Sequence, residues 1–451
     1  MPRLPVRMKL AYGASDFGFS MAGTIVMFFL LVFVVQVVGL KPWLAGLALA
    51  IGKVWDAIVD PFIGHLSDRT RTRWGRRRPF FLWFALPYGA SFILIWLLPP
   101  MDNQWLLAAI FGLLNLLFIT FFSLLMVPYN ALGPEMTRDY DDRTSLTSYR
   151  MAFSIVAGLA ASVLPIAVIA SFGGNARLGY AVMGLVFGVS ITLFPLFAFF
   201  GTREEGDAPA GAPSLSAGLK AAATNKPFLY SLAAYLANWV AIDVIGAVFL
   251  FYTQFCLRLS LAESNPVLAI LFVSAFLFLP LWVKIAKIWS KKTAYILGLG
   301  YLGAILAVFA FFVPAQLWLI YILAAAAGLG VSAAHVIPLS IIPDAVEYDV
   351  LRTGEDHEGV YFGLLTFLQQ LASAGGIFLV GVFLDAFGFD RRLAVQTASA
   401  QLGIRLALGA LPGFLLALGI LAISFYPITR AAHAGIVAEL ARRRAGREMN
   451  L

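Results

Sequence analysis

The chain has 451 residues, of which 61% are hydrophobic and 12% charged, with a mean hydropathy of +0.87 and a formal net charge of +8. A soluble domain of average usage carries about 25% charged residues, so this composition excludes a soluble enzyme, a nucleic-acid binder and a disordered chain. One cysteine, Cys256, rules out a disulfide framework, and four scattered histidines (His65, His335, His357, His433) give no metal-ligand spacing.

A helix crossing the ~30 Å hydrocarbon layer needs about 20 apolar residues. Runs of that kind fall near 12–38, 43–66, 79–99, 104–129, 151–172 and 178–200, and then near 228–256, 264–289, 293–313, 316–342, 359–387 and 403–427. They predict an all-α membrane protein of twelve spans, in two groups of six. The first apolar run is too long for a removable signal peptide, and no small-residue cleavage site follows it. Placing both termini in the cytoplasm puts 25 of the 32 basic residues on the inside, as the distribution of Lys and Arg requires. The only long stretch of linker composition follows span six. The expected organisation is therefore an N-terminal half (1–200), a cytoplasmic linker (201–227), a C-terminal half (228–427) and a basic cytoplasmic tail (428–451). Spans one and seven overlay with Gly39-Leu40 set against Arg258-Leu259, a repeat of topology rather than of sequence.

Ionisable side chains inside spans are costly and therefore informative. In span one, Asp16, Ser20 and Thr24 recur every four residues, which lines a polar cavity or lets Asp16 pair with a basic residue. Span two carries Lys53, Asp56 and Asp60. Two carboxylates one turn apart repel unless a cation or a proton neutralises them; a Lys53–Asp56 pair that only packs helices is the alternative. After span two, Asp68 and Arg69 precede Arg76 and Arg77, an arrangement suited to an ionic latch at a helix end. Arg150 opens span five, either as an interfacial arginine or as a group reaching a polar substrate. Asp243 in span seven is a solitary acid expected to face a cavity. His335 and the Gln369-Gln370 pair are weaker signals. No nucleophile–base constellation supports an enzyme.

Three segments are more specific. GHLSDRTRTRWGRRRP resembles the loop 2–3 signature of the major facilitator superfamily. WDAIVDP and PDAVEYDVLRTGEDHEG resemble the span-two and pre-span-eleven motifs of its glycoside–pentoside–hexuronide:cation symporters, the group of the melibiose carriers. The resemblance implies the major facilitator fold in a plasma (inner) membrane. It also implies alternating access, with Asp56 and Asp60 holding a coupling Na+ or H+, and Arg150 contacting substrate. No cofactor besides the coupling ion and no nucleic-acid partner are expected, whereas contact with membrane lipids and a monomeric state are. Three positions depart from the melibiose carriers. Their span-one acid aligns with Ser20, leaving Asp16 as the replacement; their span-four acid aligns with Met126; and their span-eleven lysine aligns with Gln370. FILIWLLPP, MVPYNAL and RTSLTSYRM are similar to segments of animal lysophosphatidylcholine–sodium symporters, which keep the paired acids and the arginine. The substrate expected is a sugar or glycoside bound by Asp16, Ser20, Asn130, Arg150, Asp243 and Gln370, with a lysophospholipid-like amphiphile as the alternative and an uncoupled lipid scramblase as a further one. Asp68, Arg69, Arg76 and Arg77 are the expected gating residues.

Overall fold

The computed structural model describes residues 4–137, 139–204, 215–314, 316–355 and 357–448. Ten residues of the expected linker, 205–214, and the last three of the tail lie outside that set. Among the described residues, twelve helices are long and apolar enough to cross a membrane. They are α1 (Val6–Leu30), α2 (Pro42–Arg69), α3 (Arg78–Trp96), α4 (Gln104–Met136), α5 (Ser145–Ala170) and α6 (Ala176–Gly201). The second set comprises α7 (Lys226–Cys256), α8 (Leu261–Ile288), α9 (Lys291–Phe311), α10 (Leu317–Thr353), α11 (Glu358–Ala386) and α12 (Ala398–Ser424). A further helix, α13 (Arg430–Glu448), follows them.

Local chemistry sets the helix ends. The side chains of Asn103, Asn175 and Ser290 accept hydrogen bonds from the first-turn amides of α4, α6 and α9, and Pro42 opens α2. Interior prolines such as Pro61, Pro128 and Pro338 do not end their helices, since in a membrane the neighbours re-satisfy the freed groups. That is why α4 and α10 run to Met136 and Thr353, past the apolar limits read from the sequence.

The overlay of spans one and seven has a counterpart in the backbone. After α1 the chain widens into a π-helical stretch, Phe33–Val38, which ends at Gly39 with φ +92°. Gly39 N–H and Leu40 N–H both donate to the Val34 carbonyl, at 2.9 and 3.0 Å. α7 closes in the π-helical stretch Tyr252–Cys256, followed by Arg258 with φ +55°. Leu257 N–H donates to Tyr252 O (3.1 Å) and Leu259 N–H to Thr253 O (2.9 Å). Gly39 and Arg258 thus end two equivalent helices in the left-handed conformation.

The chain divides into two compact units. Unit 1 comprises Met1–Ala208, Gly246–Phe272 and Ala374–Ala407. In it α1 packs on α5 and α6, α2 on α4, and α3 on α4 and α6. Its interior is strongly aromatic: the Tyr88 ring stacks on Phe118 at 5.6 Å, and Phe19 meets Tyr129 at 5.2 Å. At the start of α2, a Cβ placed on Gly46 would lie 3.1 Å from Gly381 Cα of α11, so two glycines let the backbones touch.

Unit 2 comprises Pro209–Ile245, Val273–Ser373 and Leu408–Leu451. Here α9 packs on α10 and α12. Around buried Asn225, whose amide donates to Ala345 O at 2.8 Å and to Tyr361 Oη at 3.0 Å, sit Phe228, Tyr235, Ile342 and Tyr361. The tail helix α13 is tied to α10 by His433, 2.9 Å from Glu347 and 3.4 Å from Asp344, whose other partner is Lys291 at 2.7 Å.

Candidate functional site

Four-residue spacing on α2 sets Asp56 and Asp60 on one face, against α4. Asp56 is buried, and its Oδ1 accepts from the Ser123 hydroxyl of α4 at 2.8 Å. Asp60 Oδ1 is a buried oxygen with no hydrogen-bond partner among the described residues. Gly52, one turn earlier, makes room for Asn115, whose amide reaches Ala48 O at 3.4 Å and helps hold α2 against α4. Pro61, the last residue of the WDAIVDP segment, adds a further feature. It has no N–H to donate to the carbonyl of Ala57, so that oxygen is released from the helix ladder beside Asp56. The resulting donors are all hard oxygens: two carboxylates, a hydroxyl and a freed carbonyl. This set suits an alkali cation or a proton. Among the described residues no group of three or more His, Cys, Asp or Glu side chains gathers into a metal cage.

The second cluster joins α1, α4 and α5. Arg150 Nε donates to Asp16 Oδ1 at 2.8 Å, with the Asp16 side chain 4% and the Arg150 side chain 24% exposed. Arg150 is therefore an inward-paired group and not an interfacial one. Ser20 donates to Asp16 Oδ2 at 3.2 Å and lies 2.7 Å from Ser154, one turn beyond Arg150 on α5. The guanidinium sits over the Tyr129 ring, 5.2 Å from its centroid. Tyr129 is itself locked: it stacks on Tyr12 at 4.4 Å, and each phenol donates to the other's backbone carbonyl, at 2.8 and 3.2 Å. Tyr12, Tyr129 and Ser154 were not singled out from the sequence. The four-residue step from Arg150 to Ser154 is the signal that would have found the last.

At the α2–α3 turn, Arg77 contacts Asp68 and the Ser67 hydroxyl and bonds Glu135 of α4 at 3.1 Å; Arg76 reaches the same carboxylate at 3.2 Å. The Glu204 carboxylate, just past α6, accepts from the backbone N–H groups of Arg76, Arg77 and Arg78 at 2.6–2.9 Å, capping the start of α3. Neither glutamate was expected. Arg69 is exposed and outside this network.

Of the remaining expected residues, Asn130 is exposed at the far end of α4. Asp243 and Gln370 belong to unit 2 and are half-buried. In that unit Gln369, and not Gln370, is the amide held by Tyr235, whose hydroxyl donates to Gln369 Oε1 at 2.7 Å.

Residues 11–430 match the family described as MFS/sugar transport protein. The chain belongs to that family. An uncharacterised symporter of Synechocystis is 32% identical over 98% of this chain and 97% of its own length. The sodium-dependent lysophosphatidylcholine symporter 1-A of Danio rerio is 26% identical, over 94% of this chain and 86% of that one. The inner membrane symporter YicJ of Escherichia coli is 28% identical, over 90% and 88%. Among solved structures, a bacterial homologue of the lysosomal transporter Spinster, in an inward-facing and unoccupied conformation, superposes with a TM-score of 0.67 at 14% identity, over 96% of this chain and 97% of that one. A D-xylose–proton symporter gives 0.63 at 15%, over 93% and 96%. These likenesses carry the fold. The chain is a multi-pass membrane transporter of the symporter type, and not an enzyme.

Proposed function

We propose that this transporter carries a neutral, hydroxyl-rich solute such as a glycoside, driven by a monovalent cation held between Asp56 and Asp60. The observation that supports the substrate class is the Asp16–Arg150 pair. An unpaired Arg150 would select an anion; bonded at 2.8 Å to a buried carboxylate, it leaves a site with no net charge. Donors and acceptors nonetheless crowd it, from Ser20, Ser154 and the guanidinium, with the Tyr129 ring as an adjoining face. Discriminating a sugar needs such a set of buried hydrogen-bonding groups.

Asp56 and Asp60 carry the coupling. A cation between them relieves the repulsion of two desolvated carboxylates, which the nearby Lys53 charge offsets only in part. Each positive charge carried inward gains about 2.3 kcal/mol per 100 mV of membrane potential. Both termini are cytoplasmic in this reading, the membrane is the plasma membrane, and Asp68, Arg76 and Arg77 with Glu135 close the cytoplasmic end. A second reading, a zwitterionic amphiphile such as a lysophospholipid, is favoured by the apolar groove of about 530 Å³ between α1, α5 and α6, lined by Phe17, Met21, Phe187 and Phe194.

The deciding experiment is uptake into proteoliposomes under an inward sodium gradient, and separately a proton gradient. Radiolabelled melibiose and lysophosphatidylcholine are compared, with the Asp56→Asn and Asp60→Asn variants alongside. Gradient-driven melibiose accumulation that both variants lose supports the reading. Lysophosphatidylcholine uptake alone turns it to the amphiphile, and gradient-independent movement of either solute removes the coupling role of the two acids.

A further inference from the structure

The Arg150 guanidinium is held from two directions. Its Nε donates to Asp16 Oδ1 at 2.8 Å, which fixes one edge of the fork and leaves the plane free to swing about that bond. The Tyr129 ring lies under the guanidinium, 5.2 Å from its central carbon. An arginine side chain has many rotamers and loses them only where something rigid meets it. How firmly the ring is held therefore decides how well the charge is placed.

Tyr12, one turn before Asp16 on α1, holds that ring. The two phenol rings stack at 4.4 Å with 16° between their planes. Tyr129 Oη donates to Tyr12 O at 2.8 Å and Tyr12 Oη donates to Tyr129 O at 3.2 Å, so each ring is anchored on the other's backbone. Two glycines make the space. A Cβ on Gly133, one turn beyond Tyr129, would lie 2.7 Å from the Tyr12 hydroxyl, and one on Gly13 would lie 2.6 Å from the Phe153 ring of α5. Burying a tyrosine here does not by itself demand such anchoring. Tyr88 of the same unit is buried and stacked on Phe118, yet its hydroxyl has no hydrogen-bond partner among the described residues.

We propose that Tyr12 and Tyr129 form a clasp that positions the Arg150 guanidinium for substrate, with Tyr12 acting as a positioning residue from behind Tyr129. At 3% exposure Tyr12 has no surface to offer a solute, so it acts only through its neighbour. Losing either hydroxyl keeps both rings and their stack but releases one anchor. The guanidinium plane then wanders, and a solute that bonds it finds the matching geometry less often. The charge, the Asp16 pair and the Asp56–Asp60 carboxylates are left as they were. Substrate affinity therefore falls, while cation activation and the maximal rate do not.

The link to substrate rests on the transport reading above, whereas the placement of the guanidinium does not, so each has its own measurement. Substrate-free protein in lipid nanodiscs is treated with phenylglyoxal, which modifies arginine, and each arginine peptide is followed by mass spectrometry. Tyr12→Phe and Tyr129→Phe are each expected to raise the rate at Arg150 about fivefold or more, as loss of one anchoring hydrogen bond implies. Tyr88→Phe, which removes a hydroxyl that anchors nothing, keeps the wild-type rate. An unchanged rate at Arg150 in both clasp variants overturns the positioning. A rise shared by Arg77, buried at the α2–α3 turn, reports a loosened fold, and if both variants show it the clasp is structural only and the proposal fails. Gradient-driven uptake is then measured for whichever of melibiose and lysophosphatidylcholine the wild type carries. In both clasp variants, and in Gly133→Ala, which pushes the Tyr12 hydroxyl aside, KM is expected to rise about tenfold with the maximal rate and cation half-saturation within about twofold. A fall in maximal rate at unchanged KM overturns the link to substrate. Uptake that keeps its KM in Arg150→Gln overturns the transport reading of that arginine, and the link with it.

Discussion

The Asp16–Arg150 pair makes a quantitative prediction. Removing one partner of a buried ion pair costs about 3–5 kcal/mol because the survivor stays charged and desolvated. Here the survivor differs by variant. After Asp16→Ala, Arg150 keeps its 24% exposure and the Tyr129 face, so the loss should drop to about 2–3 kcal/mol. Asp16→Asn retains an acceptor at the same place and should cost about 1–2 kcal/mol. Arg150→Gln leaves the nearly inaccessible Asp16 carboxylate with Ser20 alone and should be the most damaging single change, at about 3 kcal/mol. The double variant Asp16→Asn/Arg150→Gln removes both charges and should be about 1–2 kcal/mol more stable than the sum of its singles. Unfolding in SDS mixed micelles of all four proteins measures the cycle. A coupling below about 0.5 kcal/mol, the additivity seen for independent sites, would refute the neutral-pair argument and with it the preference for an uncharged solute.

Four further outcomes follow from single positions. Arg258→Gly should raise the melting temperature through a gain of about 1 kcal/mol, because arginine pays a left-handed backbone that glycine adopts freely, whereas Gly39→Ala should lower it, being left-handed and covered by Arg391; the opposite ranking in a thermal scan refutes the equivalence of the two turns. Gly381→Val should destabilise the protein by about 2 kcal/mol or more, since its new Cβ meets the Pro42 carbonyl, which cannot move aside; an unchanged unfolding midpoint argues against that close approach. Glu204→Gln should speed amide exchange at Arg76–Arg78 about tenfold or more by weakening three charge-assisted bonds, and wild-type exchange there would show that the cap is not formed. Pro61→Ala should return an N–H to the Ala57 carbonyl, stabilising α2 while weakening cation activation of uptake about fivefold, as loss of one ligand worth about 1 kcal/mol implies; an unaltered cation half-saturation would remove that carbonyl from the site.

What could be read from sequence depended on the range of the interaction. Twelve spans are a property of apolar run length, and hydropathy places them within a few residues except where a helix leaves the apolar layer and goes on in polar sequence, as α4 does to Met136 and α10 to Thr353. The Asp56–Asp60 face and the Asp16–Ser20 step are one-turn relations, visible from helical period alone. The equivalence of Gly39 and Arg258 was legible because a helix end is local. Contacts between distant segments were not. Nothing in the spacing of Glu204 connects it to the amides of Arg76–Arg78, 126 to 128 residues away, and nothing in MVPYNAL says that Tyr129 exchanges hydrogen bonds with Tyr12. Nor does spacing join Asn115 to Ala48 or Ser123 to Asp56, bonds that cross the α2–α4 seam.

The charges in and beside the spans separate by how completely their neighbours satisfy them, and that separation orders three clusters by role. Lys9 with Asp142, at 2.8 Å and both nearly inaccessible, is closed on itself and leaves nothing for a ligand. Asp16 with Arg150 is electrically closed but keeps hydroxyls and an aromatic face around a quarter-exposed guanidinium, which suits recognition without charge selection. Asp60, with a buried oxygen that accepts no hydrogen bond among the described residues, is open. An open carboxylate in hydrocarbon persists only if something mobile completes it for part of the cycle.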